Sequence, residues 1–225
     1  MRILFAVLRI AVALAIIAAV IGQLRTSLGY WDSLGNVNVA THVVHFFSFF
    51  TIESNILSAV VLLLGAFFLL TDAGPDPKWY NKLRAATATY MIVTGVVYNL
   101  LLRGVDLPQG STLGWSNEIL HVVACLWLLI DWVLAPGRSP IAASQLWKIL
   151  VFPIAWVIYT LIRGPLVADT VFRNDFWYPY PFLNPNTSAN GYLSVTFYVI
   201  LIAVVISATA AGVLWVSRRR ALLAA

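Results

Sequence analysis

Long apolar runs separated by short polar turns dominate the pattern along the chain. Six segments, about 4–24, 44–69, 85–102, 118–134, 148–163 and 192–216, are each apolar over a length suited to crossing a hydrocarbon core as a helix. The pattern predicts an all-α fold: a polytopic membrane bundle of six transmembrane helices, with residues 1–225 as one domain. The fourth and fifth segments are the shortest, which suits a thinned or closely packed part of the bilayer. Pro- and Gly-containing turns at 71–84 (TDAGPDPKWYNKLR) and 135–147 (APGRSPIAASQLW) read as connectors. The stretch 164–191 is longer, aromatic and proline-rich without a charge run, and reads as a cap folded over the outer face.

The second segment carries the most deliberate polar spacing. Read as one helix, Thr41 to Leu70 advances about 100° per residue, which brings Ser48, Thr51, Ser54, Asn55 and Ser58 within about 60° of Thr51. Such a stripe in lipid must face protein or a cavity. Glu53 falls about 160° from it, and a carboxylate at that depth costs roughly 2.5–3.5 kcal/mol unless it finds a partner or a proton.

Composition agrees with the segment pattern, since 61% of the residues are apolar and 10% charged. A lone Cys125 excludes a disulfide framework and a cysteine zinc cluster. His42 and His45 have metal-compatible spacing but no third ligand, so no metal and no cofactor is expected. Apart from Lys148 at the very start of the fifth, no span holds a lysine for a retinal Schiff base, and there is neither an internal repeat nor a Gly-rich phosphate loop.

The net charge of +5 sits beside the apolar runs rather than on a soluble domain, so nucleic acid is not an expected partner; the bilayer is. With the N-terminus inside, Arg2, Arg9, Lys78, Lys82, Arg84, Arg138, Lys148, Arg218, Arg219 and Arg220 face the cytoplasm, against Arg25, Arg103, Arg163 and Arg173 outside. Ten against four predicts cytoplasmic termini. No A-x-A cleavage pattern follows the first segment, which reads as a retained helix.

In that topology the polar residues of the spans gather in the outer half. His42, His45, Ser48 and Thr51 enter there on the second segment, and Asn117, Glu118 and His121 on the fourth; Tyr98, Asn99 and Arg103 leave there on the third, and Tyr159 and Arg163 on the fifth. Helical rise puts Thr51 ~8 Å below the start of the apolar part near Phe46, a depth similar to that of His121. A threonine hydroxyl becomes a nucleophile only when a base takes its proton, and neutral His121 is the imidazole within reach of that role.

The oxyanion of an ester intermediate would need donors, for which Asn55, Asn117 and Arg103 are candidates. Ser48, Glu118, Glu53 and Tyr159 complete the candidate substrate-facing set. Other readings stay open on spacing alone. Ser and Thr on membrane helices commonly serve packing, and a helix-end arginine such as Arg103 or Arg163 commonly snorkels. Glu53, His121 and Arg103 also suit a membrane binding or transport protein with a proton or anion relay, which would have to continue to Asp131 near the inner end.

The runs FFTIESN from Phe49 to Asn55, NEILH from Asn117 to His121 and YPYPFLNP from Tyr178 to Pro185 resemble those of bacterial members of the androgen-induced, FAR-17a-like family of six-helix membrane proteins. The resemblance extends over nearly the whole chain in length, helix number and motif order. Animal members are threonine-type hydrolases of fatty acid esters of hydroxy fatty acids, so it implies Thr51 and His121 as the catalytic pair, a lipid ester as substrate and a bacterial cytoplasmic membrane as the location. Glu118 and Val122 depart from the animal pattern, in which a His and a Thr stand at those places.

Overall fold

The computed structural model describes residues 1–35, 38–105 and 110–219. Arg220, counted above among the cytoplasmic basic residues, lies outside them. Among the described residues the helices longer than a single turn are, in chain order, α1 (Arg2–Ser33), α2 (Val39–Phe47), α3 (Phe50–Thr71), α4 (Lys78–Leu102), α5 (Gly114–Leu134), α6 (Ala143–Leu166) and α7 (Tyr192–Ser217). All except α2 are long and apolar enough to cross a membrane, so the expected six spans are present. The only strand-like pairing among the described residues is an isolated bridge between Asp169 and Asn174.

One expectation from the pattern is corrected in part and another outright. The fifth span is not short, since α6 has 24 residues, whereas α5, with 21, stays the shortest of the six; both begin before their apolar runs, near exposed Trp115 and Trp147, residues suited to a membrane interface. More consequentially, Thr41 to Leu70 is not one helix. It breaks at Ser48 and Phe49, with Phe49 extended at φ −70° and ψ 128°.

The break has a local and a tertiary cause. The run HFFSFFT is rich in aromatic and hydroxyl residues that favour a helix weakly, and the Ser48 hydroxyl donates to its own backbone at Val44 O, 2.7 Å away. The Trp156 indole on α6 then donates to the Ser48 carbonyl at 3.0 Å, satisfying a group that an unbroken helix would have used internally.

The helices α1 and α3 lie against one another, and α4 packs on α3, α5 and α7. Burial is greatest on α3 and α4, at 50% and 56% of their apolar windows, and least on α6 and α7, at 22% each, so the former pair forms the centre. At one end of the bundle Arg2 donates to Leu69 O at 3.3 Å, capping the carbonyl end of α3.

One helical turn or two further in, four buried ionised groups join three helices. Asp131 on α5 accepts from Arg9 of α1 at 2.7 and 3.1 Å and pairs with Arg84 of α4 at 3.0 Å, while Arg84 also reaches Asp76 at 2.9 Å. These side chains are at most 2% exposed, and the charges sum to zero. Gly65 on α3 makes room for the cluster, since a Cβ there would overlap the Tyr80 hydroxyl and crowd Arg9. Arg9 and Arg84, counted above among the basic residues that face the cytoplasm, are instead buried in this cluster.

Removing one member of such a cluster leaves uncompensated charge in a buried site, at a cost of about 3–5 kcal/mol. Asp131→Asn should therefore lower the thermal unfolding midpoint of the detergent-solubilised protein markedly. An unchanged midpoint would show that the two arginines find other partners.

Candidate active site

At the opposite end of α3, the break at Ser48 and Phe49 places Thr51 in the first helical turn, where backbone N–H groups have no intrahelical partner. The Thr51 N–H donates instead to the hydroxyl of Tyr180, 3.2 Å away, in the segment between α6 and α7. Thr51 Oγ1 lies 3.3 Å from the same phenol and 3.2 Å from His121 Nε2. Thr51 and His121 are 7% and 8% exposed, so this contact is buried.

The tautomer of His121 follows from its neighbours. Its Nδ1 is 3.0 Å from Asn117 O, and a carbonyl can only accept, so Nδ1 carries the proton and Nε2 presents its lone pair to Thr51. The ring is also held face to face with Tyr98, centroids 3.8 Å apart. Both supporting helices are locally widened: α4 ends in a π-turn over Tyr98–Leu102, and α5 contains one over Ile119–Val123. Such turns shift the helical register and release carbonyl groups. Projection at 100° per residue across Ile119 to Val123 therefore misplaces Cys125 and Asp131 relative to Asn117.

The released Leu120 carbonyl is taken by Asn55. Its amide nitrogen donates to Leu120 O at 3.1 Å and to Thr51 O at 2.9 Å, tying the helix of the hydroxyl to that of the imidazole. Both amide hydrogens are used, so Asn55 acts as a bridge and has none left for an oxyanion. The Asn117 amide donates to the Tyr98 hydroxyl. Arg103 makes a bidentate pair with Glu118 at 2.8 and 3.1 Å, with 46% and 49% of these side chains exposed, and also binds Asn99 at 3.0 Å.

Ser48 lies at the helix break and not on the α3 stripe; its hydroxyl is 2.9 Å from that of Tyr159. Glu53 lies close enough to Tyr180 for its carboxylate to act on the phenol through charge, and its Oε2 is buried without a hydrogen-bond partner among the described residues. The structure thus brings Thr51, His121, Asn55 and Asn117 together, pairs Ser48 with Tyr159 outside the lining of the two cavities described next, and pairs Arg103 with Glu118 at the surface. Sequence spacing did not single out Tyr180 as a site residue. Its only signal was membership of the aromatic YPYPFLNP run in a stretch without a charge run.

Two cavities meet at this point. One, about 180 Å³, runs among apolar side chains of α4, α6 and α7, including Val93, Val97, Trp156, Val157 and Ile202. The other, about 260 Å³, lies towards α1 and α5, with Gln23, Ser116, Asn117 and His121 in its wall. Thr51, Tyr98, Leu102 and Tyr180 line both, so the hydroxyl stands where the two spaces adjoin.

Fold and site together define an all-α integral membrane protein with a buried hydroxyl–imidazole pair between an apolar and a partly polar chamber. Comparisons with protein-family models, curated proteins and solved structures gave no match.

The segment that carries Tyr180 is closed over α2 by aromatic and imidazole contacts. Trp177 stacks on His45 at 4.2 Å, His45 meets His42 edge-on at 5.0 Å, and His42 Nε2 is 2.7 Å from Thr170 Oγ1. Gly164 permits this approach, because a Cβ there would overlap the Tyr178 ring. Helix α2 lies outside the six spans. Burial, with the charge of Arg163 and the neighbouring His42 adding to it, pushes His45 down to about 3, and burial lowers His42 as well.

An imidazole whose folded-state pKa lies below its unfolded value of ~6.5 contributes its full stability above that value and loses it as the pH falls. Closure should therefore loosen on acidification. Limited proteolysis within 164–191 should quicken several-fold between about pH 7.5 and about pH 5. His45→Phe, which retains a ring against Trp177 but takes up no proton, should flatten that rise; an undiminished rise would assign the effect to another group.

Proposed function

We propose that the protein is an intramembrane lipid ester hydrolase with Thr51 as nucleophile and His121 as base, acting on fatty acid esters of hydroxy fatty acids or esters of similar shape. The observation that carries this reading is the 3.2 Å approach of Thr51 Oγ1 to the free lone pair of His121, at the junction of two chambers. A hydroxyl with its own base, enclosed beside space for two substrate limbs, matches the needs of covalent acyl transfer.

In the first half-reaction Oγ1 bonds to the ester carbon as its proton passes to Nε2, and the carbonyl π pair moves onto oxygen. Collapse breaks the carbon–alkoxy bond, and Nε2 returns the proton to the departing alkoxide, leaving Thr51 acylated. In the second, His121 takes a proton from water as the water oxygen bonds to the acyl carbon. Collapse then expels Thr51 Oγ1, which recovers that proton, so ester and water become acid and alcohol. The acyl chain fits the apolar chamber of α4, α6 and α7, and the alcohol limb with its polar end fits the chamber walled by Gln23, Ser116 and Asn117.

Membership of the androgen-induced family and a bacterial inner membrane, with both termini cytoplasmic, belong to the same reading. Its support is the three motif runs and the distribution of Lys and Arg. The rival relay through Glu53, His121 and Arg103 has less support. Arg103 is engaged by Glu118, His121 by Thr51 and Asn117, and Asp131 by two arginines.

A fluorophosphonate probe should label Thr51 in the purified protein. Thr51→Ala should abolish labelling, Thr51→Ser should retain part of it, and His121→Ala should slow it roughly 10²–10⁴-fold. Labelling that survives Thr51→Ala would remove Thr51 as the nucleophile. For the orientation, a single cysteine introduced within 174–190 should react with an impermeant maleimide added outside intact cells, and one within 72–80 should not. The reverse result would invert the topology.

A further inference from the structure

A tetrahedral adduct on Thr51 needs a hydrogen-bond donor for its oxyanion, and the groups first expected to supply one are wholly or partly engaged elsewhere. Asn55 spends both amide hydrogens on the Thr51 and Leu120 carbonyls, Arg103 is turned to Glu118 and Asn99, and one of the two Asn117 amide hydrogens goes to Tyr98. The Tyr180 hydroxyl is different. Its oxygen accepts the Thr51 N–H, which leaves its own proton free to point at Thr51 Oγ1 or at whatever is bonded to it.

We propose, resting on the hydrolase reading above, that Tyr180 is a catalytic residue that donates its phenolic O–H to the oxyanion formed on the substrate carbonyl. The oxyanion carbon is bonded to Thr51 Oγ1, which lies 3.3 Å from the phenol, so the developing negative charge arises beside this donor. Tyr180 also lines both chambers, which is where the carbonyl of an ester with one limb in each must sit.

Three features of the surroundings suit this role. The N–H→O bond from Thr51 polarises the phenol and strengthens its O–H as a donor. That N–H belongs to the first turn of α3, whose positive dipole end favours an anion nearby. Burial pushes the phenol up to about 12, so it keeps its proton at neutral pH. Its ring is held independently of the hydroxyl, stacked on Phe182 at 5.3 Å and edge-on to Phe49 at 5.7 Å. Tyr180→Phe therefore removes the donor and leaves the packing.

The test compares two substrates on the detergent-solubilised full chain: p-nitrophenyl dodecanoate and its thionoester, in which sulfur replaces the carbonyl oxygen. Sulfur accepts hydrogen bonds poorly, so an oxyanion donor makes the enzyme prefer the oxygen ester. Tyr180→Phe should lower kcat for the oxygen ester about 10²–10³-fold with little change in KM, and should reduce the oxygen-over-sulfur preference at least about tenfold. A kcat at the wild-type level overturns the proposal. So does a lowered kcat with the wild-type oxygen-over-sulfur preference, which would mark a structural role. Wild-type turnover in Thr51→Ala removes the hydrolase reading itself, and the proposal falls with it.

Discussion

The candidate site depends on the interruption of the second apolar segment at Ser48 and Phe49. Inside a bilayer, backbone groups released from a helix must be satisfied by protein, and here α6 and the segment after it provide the partners. Trp156 donates to the Ser48 carbonyl on one side of the break, and Tyr180 accepts the Thr51 N–H on the other. Without the break, Thr51 would lie in the middle of a helix, with its N–H consumed and no reason for Tyr180 to approach. The interruption converts a packing residue of a membrane helix into a first-turn residue with an open neighbourhood.

Two smaller interruptions complete the arrangement. The π-turns in α4 and α5 lie beside one another, marked by Tyr98 and His121 in face-to-face contact. The turn in α5 frees Leu120 O for Asn55, so the helix of the nucleophile and the helix of the base are joined directly. The imidazole itself has one nitrogen fixed by a backbone carbonyl and one face fixed by an aromatic ring. Little rotational freedom is left to it, which is the pre-organisation that proton transfer requires.

These irregularities are concentrated at one end of the bundle, while the other end is tied by the Arg9, Asp131, Arg84 and Asp76 cluster. The division makes physical sense. Released backbone groups and cavities forfeit packing near Thr51, and a neutral, mutually satisfied charge cluster can hold α1, α4 and α5 in register some distance away. Regular helices carry that register between the two ends.

The sequence by itself determined the class and the raw materials. Runs of apolar residues long enough to span a bilayer dictate helices, because only internally bonded backbone tolerates lipid, and the polar residues at Thr51, Asn55, Asn117 and His121 are legible as exceptions to those runs. Tertiary structure decided how the exceptions are used. A constant advance per residue holds only while the helix is regular, so the break at Ser48 and the π-turn at Ile119–Val123 lay beyond any projection from spacing. The pairing of Arg103 with Glu118, and of Arg9 with Asp131 across 122 positions, depends on which helices become neighbours. Tyr180 reaches Thr51 across 129 positions because an aromatic segment folds back over α2 and α3, a contact that no local periodicity encodes.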